Sequence, residues 1–422
     1  MKNKRIAIIG AGPVGLEAAL YAVELGYPVD LFEKGEVGEN ILKWGHVTLF
    51  SPWEMNHSAL GPSLLRKHLP SWEEPDPGAY LTGAAYVARY LRPLSTLPQL
   101  AGRIHTGVRV QSIGRERILK GELIGDAHRA AHPFRLLTTH ADGRERIYHA
   151  DVVIDATGVY DTPNWLGDGG IPAVGERTNR RHIDYHLRDV TGRDRGRFAG
   201  KRTLLVGAGY SAATTVCDFQ TLIQEEPETA LLWVIRDNRA QPIPVIEHDS
   251  LPNRAALTRR ANAIAENGSE NIEFWNNTTV QEVQYFDNEQ RFRVTLKRNE
   301  TTQQIEVDRI LANVGYGPDN SLYRELQVHE CFASRGPMKL AAALLGSGSS
   351  GDCLTQQSMG AETLRNPEPD FFIIGNKSYG RNPSFLIRIG LRQIVEVFSL
   401  LTGESELDLY ASATTENQGV AA

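Results

Sequence analysis

An α/β fold of two three-layer domains, each with a small antiparallel β addition, is predicted for this chain of 422 residues. A glycine-rich turn occurs twice, as Gly-Ala-Gly-Pro-Val-Gly at residues 10–15 and as Gly-Ala-Gly-Tyr-Ser-Ala at residues 207–212. Each turn stands between a β-branched run and a helical stretch, and each half of the chain then repeats a β-rich stretch that ends in a short apolar strand. Such internal duplication indicates two copies of one unit, so both domains are predicted to be Rossmann-like.

The first turn has the sequence context of a dinucleotide site. Residues 5–9 are predicted to form a buried strand before the turn, residues 16–25 a helix that stops at a glycine, and residues 28–33 the next strand. A helix N-terminus that follows a strand and a glycine turn is suited to bind a dinucleotide diphosphate. Glu33, 18 positions after the turn, can accept hydrogen bonds from a ribose that carries no phosphate, which indicates FAD or NAD.

The second turn has the same context but a different charge. A strand is predicted at residues 203–206, a helix at 212–222 and the next strand at 231–235. Arg236 stands where the first half has its acid, and Arg239 follows closely. Because a guanidinium can make paired hydrogen bonds to phosphate oxygens, these arginines indicate the 2′-phosphate of NADPH. The alternative is that both are solvated surface residues.

Strand patterns after each βαβ unit predict the antiparallel additions. In the first half they occupy residues 104–112, 134–139 and 146–148, with an Asp-Gly hairpin signal, before a closing strand at 151–158; in the second half they occupy 280–285 and 292–296, before 308–318. The resulting division is a first part of an FAD-binding domain at 1–165, a crossover linker at 166–200, an NADPH-binding domain at 201–312, a second part of the FAD-binding domain at 313–403 and a polar tail at 404–422.

These motifs together resemble the two-dinucleotide flavoproteins related to glutathione and thioredoxin reductases, the pyridine nucleotide-disulfide oxidoreductase-like superfamily. Within it the chain is most similar to the flavin-containing (class B) monooxygenases. The matching pieces are the two glycine turns, the Ala-Thr-Gly closure at 156–158, the strand at 371–375, and segments 44–49, 86–91 and 106–110, which follow the order of that subgroup's first domain. The resemblance implies the FAD/NAD(P)-binding fold over about residues 1 to 400.

The resemblance also implies the residues that bind each cofactor. For FAD they are Gly10, Gly12, Pro13, Val14, Gly15, Glu33, Lys34, Trp44, Val110, Ala156, Thr157, Gly158, Gly375 and Asn376, the last standing where the superfamily commonly has Asp. For NADPH they are Gly207, Gly209, Tyr210, Ser211, Ala212, Arg236 and Arg239.

Polar residues in two segments are the catalytic candidates. Segments 44–57 and 378–388 are expected to line the flavin, and they contain Ser51 and His57 in the first and Tyr379 and Arg381 in the second. A helix predicted from Phe385 would direct free N–H groups towards the reduced flavin ring. The alternative for each side chain is an ordinary polar residue of a loop.

The cysteines limit the chemistry. There are three, at positions 217, 331 and 353, and none form a Cys-x-x-Cys pair, which argues against disulfide reduction by the usual route and indicates a reducing compartment. The predicted function is an FAD-dependent oxidoreductase in which NADPH reduces the flavin. We expect a monooxygenase that acts on a small organic substrate through a flavin–oxygen adduct, with O2 as co-substrate. Two alternatives stay open: an NADPH-dependent reductase without a Cys-x-x-Cys pair, and a nucleotide-binding redox sensor without turnover.

Charge and hydropathy argue against nucleic acid and membranes as binding partners. A formal charge of −6 gives no general attraction to nucleic acid or to an anionic membrane, and no apolar run reaches the roughly 18 residues of a spanning helix. A cytoplasmic monomer or homodimer is therefore expected. His182 and His186 are four positions apart, but no third ligand stands near them, so no metal site is predicted.

Overall fold

The computed structural model describes residues 4–268, 271–346, 354 and 358–420, with side chains described as far as residue 414. The chain divides into two compact units. The first unit contains Met1–Thr162 and Gly317–Ala422, and the second contains Pro163–Tyr316. The segment 166–200, for which a crossover linker is predicted, lies within the second unit.

The strands are β1 (Ile6–Ile9), β2 (Val29–Phe32), β3 (Ile104–His105), β4 (Val108–Arg115), β5 (Phe134–His140), β6 (Glu145–Ala150), β7 (Val152–Asp155), β8 (Arg202–Val206), β9 (Ala230–Val234), β10 (Ile272–Trp275), β11 (Thr278–Phe286), β12 (Arg291–Arg298), β13 (Thr301–Val307), β14 (Arg309–Ala312) and β15 (Phe371–Ile373). The α-helices are α1 (Pro13–Glu24), α2 (Glu39–Leu42), α3 (Leu60–His68), α4 (Gly83–Tyr86), α5 (Arg92–Ser95), α6 (Glu176–Asn179), α7 (Arg195–Phe198), α8 (Tyr210–Glu225), α9 (Pro252–Asn267), α10 (Met338–Gly346), α11 (Ile387–Thr402) and α12 (Leu409–Val420).

Each unit has one parallel and one antiparallel sheet, which confirms the predicted fold. In the first unit the parallel sheet has the order β15-β7-β1-β2-β3 and the antiparallel sheet the order β4-β5-β6. In the second unit the orders are β10-β9-β8-β14 and β11-β12-β13. The strand before each glycine turn is central in both units: β1 pairs in parallel with β2 and β7, and β8 pairs in parallel with β9 and β14.

Successive side chains of the central strands point to opposite faces of the sheet, which places one apolar core on each side and gives the three layers. Ile6 and Ile8 belong to the core cluster that β1 shares with α1 and α11, whereas Ala7 and Ile9 belong to the cluster on the other face, which the antiparallel sheet covers. Successive side chains of a strand point to opposite faces, so a four-residue apolar strand supplies both cores at once. In the second unit, Leu205 and Leu204 divide in the same way between the helical and the antiparallel side.

Strand β13 and helix α12 are among the elements that the sequence did not predict. Strand β13, which was not predicted, completes the second antiparallel sheet, and a two-residue turn at Asn299 and Glu300, both with positive φ (47° and 67°), joins it to β12. The second half of the predicted polar tail is helix α12. Asp408 begins it by accepting hydrogen bonds from the N–H groups of Tyr410 and Ala411, at 3.0 Å each.

Helix α12 packs against α1 through apolar and aromatic contacts. The ring of Tyr410 meets that of Tyr21 edge-on at 5.1 Å, and Ala413 is buried. In the parts of the chain that the structure describes, no helix combines the length and apolar character needed to cross a bilayer.

Candidate cofactor and active sites

The first glycine turn needs two of its glycines for close backbone packing and keeps the third beside open space. Gly10 has a φ of +102°, and a Cβ there would lie 2.8 Å from the carbonyl oxygen of Ala156. A Cβ on Gly15 would lie 1.8 Å from the carbonyl oxygen of Gly10. Gly12 has a φ of −80°, and no described atom lies within 4 Å of where its Cβ would be. Gly12 therefore leaves a cradle at the start of α1 that a diphosphate can approach.

The second turn repeats this pattern. Gly207 has a φ of +145°, and a Cβ there would lie 2.1 Å from the carbonyl oxygen of Asn313, whereas Gly209, at φ −106°, has no described atom within 4 Å of its Cβ position. Gly209 precedes α8, as Gly12 precedes α1, and within the described residues no side chain caps either helix. Backbone N–H groups are thus left for an anionic ligand at both helix starts, so the residues present fit two dinucleotides.

Glu33, the predicted ribose-binding acid, is held against the first turn. The residue follows β2 and is buried. Its Oε2 accepts a hydrogen bond from the N–H of Ala11 at 2.8 Å, and its Oε1 accepts one from the N–H of Gly35 at 3.0 Å. The carboxylate and the turn therefore form one hydrogen-bonded assembly at the carboxyl ends of β1 and β2.

A buried ion pair, which the sequence analysis missed, organises the neighbouring Ala156-Thr157-Gly158 segment. Asp155, at the end of β7, accepts hydrogen bonds from the N–H of Thr157 at 3.1 Å, from its hydroxyl at 2.7 Å and from Nζ of Lys377 at 2.5 Å. Asp155 and Lys377 are almost completely buried, and Lys377 lies 5.1 Å from the ring centre of Tyr323. An aspartate at the end of an otherwise apolar, buried strand was the available signal, because such a charge requires a partner.

The turn at Gly375 is held by hydrogen bonds to Gln393, a residue of α11. The N–H of Gly375 donates to Oε1 of Gln393 at 2.8 Å, while Nε2 of Gln393 donates to the hydroxyl of Ser378 at 2.9 Å. The Ser378 hydroxyl in turn donates to the Gly375 carbonyl oxygen at 2.7 Å. A Cβ on Gly375 would lie 3.5 Å from Val14, so the structure brings these two predicted FAD residues together. Asn376, the next residue, is half-buried.

The remaining predicted FAD residues occupy more varied places. Pro13 is the first residue of α1, and Lys34 pairs with Asp161. The half-buried Trp44 ring packs against Gly83, where a Cβ would lie 2.8 Å from the ring. Val110 lies in β4 and packs on the apolar cluster between the two sheets of the first unit.

The predicted 2′-phosphate arginines follow β9 and share one acid. Arg236 has 80% of its side chain exposed and lies 3.6 Å from Asp237. Arg239 contacts the same carboxylate at 2.6 Å. The turn before them is tied to β9, because Nε1 of the buried Trp233 donates to the carbonyl oxygen of Gly207 at 2.8 Å. Tyr210, Ser211 and Ala212 form the first turn of α8.

Ser51 and His57 lie in one aromatic and polar cluster. The Ser51 hydroxyl donates to Oδ1 of Asn56 at 2.8 Å, and the His57 ring stacks on Trp53 at 4.2 Å. Nδ1 of His57 lies 2.6 Å from the carbonyl oxygen of Ser58. A carbonyl only accepts, so Nδ1 carries the proton and Nε2 of the neutral ring is the basic nitrogen. Burial lowers the pKa of His57, which keeps the ring neutral at pH 7.

Tyr379 and Arg381 have separate surroundings. Tyr379 is 1% exposed and meets Phe385 edge-on at 5.5 Å, and burial raises its pKa to about 12. Arg381 is exposed, and its N–H donates to the carbonyl oxygen of Ser334 at 2.7 Å. Helix α11 begins at Ile387, two residues later than predicted. Over the described ranges, no hydrogen bond or ring contact joins this pair to Ser51 or His57.

The described cysteines lie in different units. Cys217 is buried on α8, and burial raises its pKa to about 11. Cys331 is buried in the first unit, and hydrogen bonds from the backbone and side chain of Ser334 lower its pKa. Cys353 lies outside the described residues.

The two histidines with ligand-like spacing each stack on a different aromatic side chain. His182 ends a short helical turn and stacks on Tyr285 at 3.8 Å, whereas His186 stacks on Tyr316 at 5.8 Å. They do not share a helical face, and the described residues contain no group of three or more His, Cys, Asp or Glu side chains placed to hold a metal ion.

Several solved structures share this fold. The bacillithiol disulfide reductase of Bacillus cereus is 19% identical, with a TM-score of 0.67 and coverage of 96% of this chain and 100% of that one. The thioredoxin reductase of T. acidophilum is 18% identical, with a TM-score of 0.59 and coverage of 95% and 100%. The FAD-bound cadaverine monooxygenase of the desferrioxamine pathway of Erwinia amylovora is 13% identical, with a TM-score of 0.62 and coverage of 97% and 98%. Identities this low establish the common fold alone.

Sequence comparison establishes the family. An uncharacterized protein of Methanocaldococcus jannaschii is 46% identical over 41 residues, a match that spans only 10% of each chain. Residues 4–336 match the family described as pyridine nucleotide-disulphide oxidoreductase, which is well over half of the chain. With two glycine cradles and an acid at the first of them, the chain belongs to this family and is an oxidoreductase that uses FAD and NAD(P)H.

Proposed function

We propose that this protein is an NADPH-dependent FAD monooxygenase that acts on a small organic substrate. The observation that carries the proposal is the combination of two dinucleotide cradles with three cysteines, of which none form a Cys-x-x-Cys pair. A member of this family without paired thiols lacks the usual internal route to a disulfide substrate. The two electrons of NADPH would then reduce O2, of which one oxygen atom would enter the organic substrate and the other would leave as water.

The chain's own residues would provide binding, orientation and a base. The N–H groups at the start of α1 and the carboxylate of Glu33 would hold FAD, and Arg236 and Arg239 would hold the phosphate that distinguishes NADPH from NADH. FAD supplies the redox chemistry when bound. His57 would take a proton from the substrate at Nε2, because its Nδ1 is engaged with Ser58 and its ring is neutral at pH 7.

Spectroscopy and oxygen dependence test the proposal. Anaerobic NADPH should bleach the visible flavin absorption of the reconstituted protein. With the correct substrate, NADPH oxidation should rise in air and not under argon, and label from isotopic O2 should enter the product. Equal turnover under argon would contradict the proposal and establish a reductase. Flavin that binds but is not bleached by NADPH would contradict it in favour of a sensor.

A matched pair of histidine variants tests the base. His57→Phe keeps an aromatic ring beside Trp53 but removes Nε2, so product formation should fall by about 10²-fold while flavin reduction by NADPH stays unchanged. The control is His128→Phe, because the side chain of His128 is 86% exposed. Equal activity of the two variants would remove His57 from the mechanism.

A further inference from the structure

An ion-pair cluster lies across the carboxyl ends of three neighbouring strands of the first unit. In the parallel sheet, β1 stands between β7 and β2. The segment that follows β7 and the segment that follows β2 therefore flank the glycine turn that leaves β1. Asp161 belongs to the first of these segments, and Lys34 and Lys43 belong to the second.

The carboxylate of Asp161 contacts both lysines, and Lys43 also lies 3.6 Å from the carboxylate of Glu39 and donates to Oδ1 of Asn40 at 2.7 Å. Oδ1 of Asp161 accepts a hydrogen bond from Nζ of Lys43 at 3.0 Å, Oδ2 accepts one from Nδ2 of Asn40 at 2.9 Å, and Nζ of Lys34 forms an ion pair with Oδ2. Burial raises the pKa of Asp161, but the hydrogen bonds from Lys34, Asn40 and Lys43 outweigh it and hold the pKa well below its usual range. The carboxylate is thus charged at neutral pH, and both cations point to it.

The contacts are tight but remain open to solvent. The exposed fractions are 36% for the Asp161 side chain, 21% for Lys34 and 30% for Lys43. Pairs with this exposure add little to folding stability and are weakened by salt. A role in closing and opening the site therefore suits them better than a role in holding the unit together.

We propose that Asp161 is a positioning residue that holds Lys34 and Lys43 as a strap across the glycine turn, and that this strap slows the release of FAD. The segments that carry these ion pairs lie on both sides of the glycine turn, and in this proposal the ion pairs separate before FAD leaves the cradle at Gly12. The two cations also keep positive charge beside the turn, where the cofactor's diphosphate brings negative charge. The proposal needs FAD binding, which the family establishes, and does not depend on oxygenation.

The test is the rate at which FAD dissociates from the full-length holoprotein, followed by the rise in flavin fluorescence after dilution. Asp161→Asn should accelerate release about tenfold, since changes at one site act mainly on dissociation. Asp161→Glu, which keeps the charge, should restore most of the wild-type rate. Raising the salt concentration should accelerate release from the wild-type protein and have little effect on Asp161→Asn.

A matched control lies on the same sheet. Lys4 pairs with Asp370 at 2.9 Å, before β1 and β15 and hence at the opposite end of the strands. Asp370→Asn, whose backbone φ of 58° suits asparagine, should leave the release rate unchanged. Should Asp161→Asn fold poorly, Lys43→Met removes one cation and keeps most of the side chain, and it should accelerate release.

Three results would overturn the proposal. One is a release rate that neither Asp161→Asn nor Lys43→Met changes, and another is an equal change in the Asp370→Asn control. The third is a wild-type rate that does not depend on salt. Failure of the oxygenase proposal would leave these rates measurable, because they require no substrate.

Discussion

Buried charged residues hold the first cofactor turn in shape. Glu33 binds two backbone N–H groups of the turn region, and Asp155 pairs with Lys377 below the Ala156-Thr157-Gly158 segment. Removing one partner of such a buried pair leaves an uncompensated charge and commonly costs about 3–5 kcal/mol. The pair therefore couples the ends of β7 and β15, two strands that belong to distant parts of the sequence.

Glu17 makes the stability of the first unit depend on pH. This α1 residue is buried, and in the described structure it makes no ion pair; its neighbours are the hydroxyls of Tyr90 and Tyr410 and the N–H of Ser58. Burial raises its pKa. The folded state therefore holds a proton that the unfolded state releases. The stabilisation is complete below the unfolded pKa and is lost as pH rises through the folded one.

Glu17→Gln tests this dependence, because the amide keeps an acceptor for Tyr90 and cannot lose a proton. The melting temperatures of the two proteins should converge at acidic pH, and the variant should gain an increasing advantage as the pH rises. Glu36→Gln, at a side chain that is 75% exposed, serves as the control and should follow the wild type. Parallel curves for Glu17→Gln and the wild type would show that this carboxyl does not titrate.

Arg236 is expected to select the phosphorylated nucleotide. Arg236→Ala should weaken NADPH binding by about 10- to 100-fold, the loss expected for a charge-assisted hydrogen bond of roughly 1.5–3 kcal/mol, and should leave NADH binding unchanged. Titration of both nucleotides measures the effect. Arg202→Ala is the matched control, an exposed arginine at the other end of the second unit's central strands. Equal losses for NADPH and NADH would contradict the assignment.

At the scale of elements, the middle glycines of the two strand–turn–helix units have the same surroundings. Gly12 and Gly209 have φ angles that alanine readily adopts, and neither Cβ position has a described atom within 4 Å. Gly10 and Gly207 are different, because their positive φ and the nearby carbonyl groups exclude a side chain. Within each turn, the first glycine is therefore required by the backbone packing, and the middle glycine leaves room for the ligand.

Substitution of the two middle glycines should separate the cofactors. Gly12→Ala should weaken FAD binding at least about tenfold and spare NADPH, and Gly209→Ala should do the reverse, because a methyl group enters each cradle without touching the protein. Melting temperatures without cofactor should match the wild type. Gly196→Ala, also without described neighbours within 4 Å, is the control and should bind both. Loss of folding in Gly12→Ala would refute the open cradle.

The sequence was most informative where local rules determine the structure. Both glycine turns, their flanking strands and the helices that follow were predicted, because a glycine signature fixes the strand before it and the helix after it. Strand β13 was missed since Asn299 and Glu300 lack the Asn-Gly or Asp-Gly signal of a tight hairpin. Helix α12 was missed because it is stabilised by contacts with α1 and α3, which lie far earlier in the chain. One of them is the hydrogen bond from the Leu409 N–H to the Tyr21 hydroxyl, 388 positions apart.

Contacts between residues far apart in the sequence also limited what could be predicted about the sites. Glu33 was assigned from its spacing, and the structure holds it at the turn. The strap was not assigned because Lys43 and Asp161 are 118 positions apart, and no motif connects them. The catalytic candidates were chosen by segment alone, so they include a side chain as buried as that of Tyr379. They remain predictions.

At the scale of the molecule, each unit has its own pair of apolar cores. Two clusters contain only first-unit residues, and two contain only second-unit residues. Units with separate cores often unfold in separate steps.

Calorimetry should resolve two unfolding transitions. FAD at about 100 times its dissociation constant should stabilise one of them by about 2.7 kcal/mol, and NADP⁺ at the same ratio should stabilise the other. In Gly12→Ala the FAD response should disappear and the NADP⁺ response should remain. A single transition that both ligands raise together would show that the units unfold cooperatively.

The first unit consists of two stretches of the chain, one before and one after the second unit, and this order affects folding during synthesis. The second unit is one continuous stretch, so all of it has been translated before the ribosome reaches β15 and α11. Until then the nascent first unit lacks an edge strand of its sheet and the helix that packs along α1, and the apolar face of α1 stays uncovered. During translation, the first stretch of this unit is thus made before the second unit but completed after it, and its exposed apolar surface is open to aggregation in the meantime.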